Sequence, residues 1–346
     1  MNQGYIVSLI AVFVLFLLPF VGAGPTVAGG QILFGFLLPY AALIVFILGF
    51  FSKVMGWARS AVPFNITTTC GQQETLPWIK PDPIETPWSK GAVVVRMALE
   101  IFCFRSLFRN TRVTYHKEGK IAYNLEIFLW LGAIVFHYSF LTVLIRHLRF
   151  FMDPVPGALK LLEALDSFMQ FGLPIVYMSG VALLAGVLYL LARRIFISKV
   201  KYISLAADYF PLFLIGGIAL TGIMMRYFTK VDIVAIKELT MNMVRFNFTV
   251  PEGISSLFFV HLFFVSILLM YFPFSKLMHL GGIFLSPTRN MTANTRAKRH
   301  VNPWNYPVKL HTYDEYEDDF REKMVEAGLP VDKELVVTEP EEEEKE

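Results

Sequence analysis

Val135–Pro154 reads VFHYSFLTVLIRHLRFFMDP. The stretch is apolar enough to cross a bilayer, yet it places His137 and His147 ten positions apart. An ionisable side chain at membrane depth is costly, and it marks a site that faces a bundle interior. The surrounding chain supports a membrane setting. Of 346 residues, 55% are hydrophobic and 33 are Phe, with a mean hydropathy of +0.53. Soluble domains do not carry such long apolar runs. Cys70 and Cys103 are the two cysteines, too few for a disulfide framework, a zinc knuckle or an iron–sulfur cluster. No CxxCH motif occurs, which excludes covalent c-type haem. The charges are segregated along the chain, so the net +3 carries no information about partners, and nothing in the pattern indicates nucleic acid.

Each span needs about 20 apolar residues. Six such runs occur: Tyr5–Val21, Ile32–Phe51, Tyr123–Ile145, Phe171–Leu191, Asp208–Tyr227 and Ile254–Met278. The first lacks a basic leader and reads as an uncleaved span. The fold class is therefore an all-α integral membrane protein with six transmembrane helices. A hairpin of spans occupies 1–51. A polar loop fills 52–122, and within it Gly91–Asn110 mixes apolar residues with Arg96, Glu100, Arg105 and Arg109. That pattern suits an interfacial helix or an ordinary loop helix. Residues 123–285 form the four-span core, and 286–346 a soluble tail. Basic residues concentrate in Arg105–Lys120, Arg193–Lys201 and Ser286–His311. These loops face the cytoplasm by the positive-inside rule, so both termini lie inside the cell membrane. In the tail, Thr312 to Glu315 reads as a capping box and Gly328 with Pro330 as a stop. Tyr313, Tyr316, Phe320 and Met324 share one face between them, which suits docking of a cytoplasmic partner or folding back on the chain. The final EEEEKE reads as disordered.

Seven histidines occur. His116, His300 and His311 lie in polar segments. The other four are paired on two spans: His137 and His147 on the third, His261 and His279 on the sixth. These spans run antiparallel, so His137 is level with His279 toward the inside, and His147 with His261 toward the outside. Two imidazoles opposed across a bundle are the axial pair of a b-type haem. The last four spans thus read as a dihaem b-type cytochrome bundle. The spacings are unequal, because ten helical residues rise roughly 15 Å and eighteen roughly 27 Å. Tilt, inclined macrocycles or a bend at Pro273 must absorb the difference. On regular helices His261 and His279 share a face, while His147 is rotated roughly 80° from His137.

Other chemistries fit less well. Zinc wants three or four convergent donors, and the Met residues do not cluster with the histidines as a copper site would require. A proton-coupled transporter wants broken helices and midplane carboxylates. A passive anchor for a soluble redox protein, with structural histidines, stays open.

The His-x9-His span followed by a His-x17-His span ending in PFSKLMH resembles the gamma subunit of respiratory nitrate reductase, a dihaem cytochrome b that oxidises quinol. With the N-terminal hairpin, the Cys70 loop and the tail HVNPWNYPVKLHTYDEYEDDFREKMVEAGLP, the chain is similar to the DsrM-type branch. That branch serves the heterodisulfide-reductase-like, menaquinol-oxidising complex associated with sulfite and sulfate respiration. The resemblance implies two haem b groups on His137, His147, His261 and His279, and menaquinol as substrate. It also implies a cytoplasmic iron–sulfur partner resembling the catalytic subunit of heterodisulfide reductase, among other subunits. Electron flow in reverse, reducing menaquinone, is the alternative. The quinol site is expected by the outer haem, with Arg146, Arg149, Tyr138 and Tyr177 as candidates. Arg146 and Arg149 could equally meet haem propionates there, and Lys276, Arg193 and Arg194 could do so at the inner end.

Overall fold

In hydrocarbon every backbone N–H and C=O needs an internal partner, so an apolar run becomes a helix. The computed structural model describes residues 3–24, 27, 29–60, 65–66, 72–74, 76–115, 119–168, 175–295 and 310–333. They belong to two units, 1–300 and 301–346. In the first unit six helices are long and apolar enough to cross a membrane. They are α1 (Gly4–Gly22), α2 (Gly30–Ala58), α4 (Ile127–Phe151), α6 (Met178–Phe196), α7 (Ala206–Phe228) and α9 (Ser256–Phe274). Shorter helices lie between them: α3 (Lys90–Cys103), α5 (Gly157–Asp166) and α8 (Ile233–Val244).

Beyond helices that run several residues past their expected ends, as α2 does to Ala58 and α4 to Phe151, four differences from the sequence reading matter. The third span starts at Ile127, because Ile121–Leu125 is a strand, β2, paired antiparallel with β1 (Thr111–Tyr115). Thr111, Val113, Thr114, Tyr115, Ile121 and Tyr123 are β-branched or aromatic, which favours a pleated ribbon over a helix; Gly119, at φ 77°, lies in the connection. The fold is therefore mostly helical but not all-α. The fourth span starts at Met178, after non-helical Ile175–Tyr177; the expected start at Phe171 lies outside the described residues. The loop helix is shorter than Gly91–Asn110. It is capped by Ser89 and ends at Cys103 where Phe104 turns left-handed. Its Arg96 and Glu100 are buried. Buried Glu85 pairs with Arg96, Arg105 and Arg109, while Val94, Val95 and Phe102 are exposed.

The fourth difference bears on the site. The sixth span is not helical to Met278. Its α-helix stops at Tyr271 and tightens into a 3₁₀ turn over Phe272–Phe274. Pro273 has no N–H to continue the ladder. Ser275 is extended, and its hydroxyl accepts from Leu277 N. His279 then opens a separate short helix, His279–Gly282. Regular-helix geometry therefore does not relate His261 to His279.

Helix contacts are sequential: α4 packs on α6, α6 on α7, and α7 on α9. The N-terminal pair closes the far side, with α1 against α7 and α9, and α2 against α9. Small residues permit the closest approaches. A Cβ on Gly132 of α4 would sit 2.4 Å from the Tyr189 ring of α6, and one on Gly186 of α6 would sit 3.2 Å from the Phe136 backbone. Without a hydrophobic force between helices in lipid, such contact surfaces hold the bundle together.

In the second unit, helix α10 (Tyr313–Glu326) carries the expected capping box, Thr312 with Glu315. Gly328 adopts φ 70° beyond its end. Buried Glu317 accepts from the backbone N–H groups of Asp332 and Lys333, each at 2.9 Å. Met324 is buried, whereas Tyr313, Tyr316 and Phe320 stay exposed.

Gly132→Val drives a branched side chain into Tyr189. Overpacking of this kind costs about 1–3 kcal/mol, so the melting temperature of purified protein should fall, while Gly180→Ala, which meets nothing within 4 Å, should leave it unchanged.

Candidate functional site

Two opposed imidazole pairs join α4 to α9 and to the short helix His279–Gly282 that follows it. The His137 and His279 rings have centroids 5.9 Å apart with planes at 82°. Those of His147 and His261 are 6.2 Å apart at 20°. The backbones of α4 and α9 are not among the closely packed helix pairs, so the imidazoles reach across a gap between these elements.

Each ring is held at its Nδ1. On α4, Nδ1 of His137 lies 2.7 Å from the Ala133 carbonyl, and Nδ1 of His147 lies 2.7 Å from the Val143 carbonyl. Both acceptors are one turn back, where a helical side chain naturally leans. Nδ1 of His279 is 2.9 Å from the Lys276 carbonyl. A carbonyl only accepts, so Nδ1 carries the proton in all three. His261 differs, since its Nδ1 lies 2.9 Å from the Thr221 hydroxyl of α7. That hydroxyl donates back to Gly217 at 2.8 Å, which leaves its oxygen as the acceptor. In every case Nε2 keeps its lone pair for a metal. Second-shell tethering of this type is what orients metal-bound histidines.

The arrangement fits a haem iron. Two imidazole–metal bonds of about 2 Å, plus the distance from each nitrogen to its ring centre, put centroids about 6 Å apart. Two facing imidazoles would suit a metal whose other positions a macrocycle fills. Aromatic edges complete the inner site: Phe104 and Phe136 meet His137 at 5.0 and 4.9 Å. Phe104 does so from a left-handed φ of 50°, an uncommon conformation for a bulky residue.

The other expected residues divide. Arg146 pairs with buried Asp166, donates to the Ser179 hydroxyl at 3.0 Å, and stacks 3.4 Å over the Tyr177 ring. Asp166 also accepts from Ser179 N at 2.7 Å. Arg149 pairs with Glu163 at 2.6 Å. Arg146, Arg149 and Tyr177 thus belong to the His147 end. Tyr138 does not join them: it is roughly two helical turns away, and it donates to the Phe102 carbonyl at 2.8 Å. At the other end Lys276 pairs with Asp208 at 2.7 Å and Arg193 with Glu126 at 3.4 Å, and Arg194 donates to Ser204 at 3.0 Å. Cys103 is a free, exposed thiol. Cys70, His116 and His300 lie outside the described residues, and His311 is near Asp319 at 3.9 Å. Thr221, Phe104 and Asp166 carry no sequence signal, because each acts through an element remote in the chain.

Residues 96–298 match the family model of the nitrate reductase gamma subunit. A protein of Archaeoglobus fulgidus named Hdr-like menaquinol oxidoreductase cytochrome b-like subunit is 46% identical over 281 residues, covering 79% of this chain and 84% of that protein. A protein of the same name from Archaeoglobus profundus is 42% identical over 276 residues, covering 78% of this chain and 81% of its own length.

Thr221→Val keeps the shape of the side chain and removes the hydroxyl. Loss of a second-shell partner typically costs 10–100-fold in metal affinity. Iron-porphyrin retention at the His147–His261 pair should fall by about that range, with the other pair unaffected and Thr221→Ser restoring it; spectral titration of haem into depleted protein measures both.

Proposed function

The chain belongs to the nitrate reductase gamma subunit family, and we propose that it is the membrane cytochrome b subunit of a menaquinol-oxidising complex. In this reading His137 with His279 holds an inner haem b and His147 with His261 an outer one. Electrons from menaquinol leave toward a cytoplasmic iron–sulfur partner of the heterodisulfide-reductase type, in sulfite and sulfate metabolism. The observation that carries the reading is the opposition of two imidazole pairs whose Nδ1 atoms are all committed. The names of the two archaeal relatives support the substrate and the complex.

Orientation rests on the basic loops, which place both termini on the cytoplasmic side of the cell membrane. When bound, haem b supplies a reversible one-electron iron couple. The chain's own residues do the rest. The Nδ1 acceptors fix each imidazole's tautomer, so Nε2 is the ligand atom. Phe104 and Phe136 pack edge-on against the His137 ring and limit its rotation. Menaquinol is placed beside the His147–His261 pair, against Arg149, Arg146 and Tyr177. The carboxylates Glu163 and Asp166, held by those arginines, stand where quinol protons are released. Release outside while electrons move inward makes the reaction sensitive to membrane potential, at about 2.3 kcal/mol per charge per 100 mV.

Purified protein should show a Soret band, a reduced α-band and about two protohaems per chain by pyridine haemochrome, two axial pairs each holding one. His147→Ala and His279→Ala should each remove one haem and keep the other, and a menaquinol analogue should reduce the wild type. A folded but colourless preparation, or haem content untouched by either substitution, contradicts the proposal.

A further inference from the structure

Every basic side chain that the sequence suggested near the two pairs has a partner. Arg146 has Asp166, Arg149 has Glu163, Arg193 has Glu126 and Lys276 has Asp208. One arginine that the sequence did not single out has none. Arg226 lies in the π-helical turn Met224–Phe228 that ends α7. Its guanidinium carbon sits 4.5 Å from the centroid of the Tyr177 ring, the ring that also carries Arg146. Its Nε is buried and has no hydrogen-bond partner among the described residues, and Nη2 donates to the Ile175 carbonyl at 3.5 Å. No carboxylate among the described residues pairs with it. The segment 169–174, MQFGLP, which precedes Ile175 in sequence, contains no acid either.

A half-buried guanidinium whose Nε is shut off from solvent gains from an anion, and π-helical turns cluster at functional sites. Its place on α7 indicates what the anion is. Gly222 stands four residues earlier, about one turn, and a Cβ there would lie 3.4 Å from the His261 ring. Thr221, beside it, holds that ring's Nδ1. Arg226 is thus one turn beyond the His147–His261 pair, toward the same end as Arg146. A b-type porphyrin carries two propionate carboxylates on one edge, and a guanidinium fork is the natural partner of a carboxylate.

We propose that Arg226 grips a propionate carboxylate of the porphyrin bound between His147 and His261. This rests on the haem assignment above and adds the residue that orients the macrocycle: its propionate edge faces the Arg146 and Tyr177 end. A guanidinium there also disfavours the ferric state, which carries one more positive charge than the ferrous, and so raises the potential of that pool relative to a neutral side chain.

The test is an optical redox titration of the full-length protein, with the two pools told apart by His147→Ala. Arg226→Gln should lower the midpoint of the His147–His261 pool and leave the His137–His279 pool in place. Arg226→Lys keeps the charge and loses the fork, so it should restore most of the midpoint. It should still shift the propionate band in redox-difference infrared spectra recorded with propionate-¹³C haem, and this reading survives if the Gln variant does not fold. Two haems with unchanged midpoints in Arg226→Gln, or an unmoved labelled band in Arg226→Lys, overturns the proposal. So does an unchanged midpoint together with loss of the spectral shift induced by a menaquinol analogue, which assigns Arg226 to the quinol. A wild type without haem instead overturns the haem assignment itself.

Discussion

An imidazole in hydrocarbon is tolerated when both of its nitrogens are engaged, and this constraint organises the bundle. Backbone carbonyls one turn away satisfy Nδ1 of His137 and His147 at no cost in fold. The break after Tyr271 frees the Lys276 carbonyl to do the same for His279. With Nδ1 committed, Nε2 is the nitrogen left for a partner across the gap. The reading of the chain as a cytochrome depends on this division of labour between the two ring nitrogens.

The asymmetry between the two pairs follows from their supports. Three rings lean on backbone, which no substitution removes. His261 leans on Thr221, a side chain from a different helix. The His147–His261 pair is therefore the one with a side-chain tether, and the one bordered by arginines, two of which lie over Tyr177. The inner site is bordered by Phe104 and Phe136.

Much of this was legible in the sequence. Six apolar runs gave six helices, and antiparallel logic alone matched His137 with His279 and His147 with His261, the partners whose rings meet. The capping box at Thr312 was also readable, because it is local. Regular-helix arithmetic failed beyond Pro273, since it cannot foresee that Ser275 becomes extended. Strand β2 was hidden because Tyr123 and Leu125 stand directly before the apolar run of α4 and read as its first residues. The inward turn of Arg96 and Glu100 reversed the face that an amphipathic reading offers to water. Thr221, Asp166 and Arg226 were beyond reach for one shared reason. Each matters through a partner at least 13 positions away in the chain, and hydrophobic periodicity carries no information about such pairings.

The central claim is that each imidazole pair encloses an iron porphyrin. An experimental density map of the purified protein, with anomalous data collected at the iron edge, tests it most directly. The account predicts two iron peaks, one between His137 and His279 and one between His147 and His261, each centred in a porphyrin with Nε2 atoms on both sides. Rings that turn away from each other, or iron at neither midpoint, would contradict it.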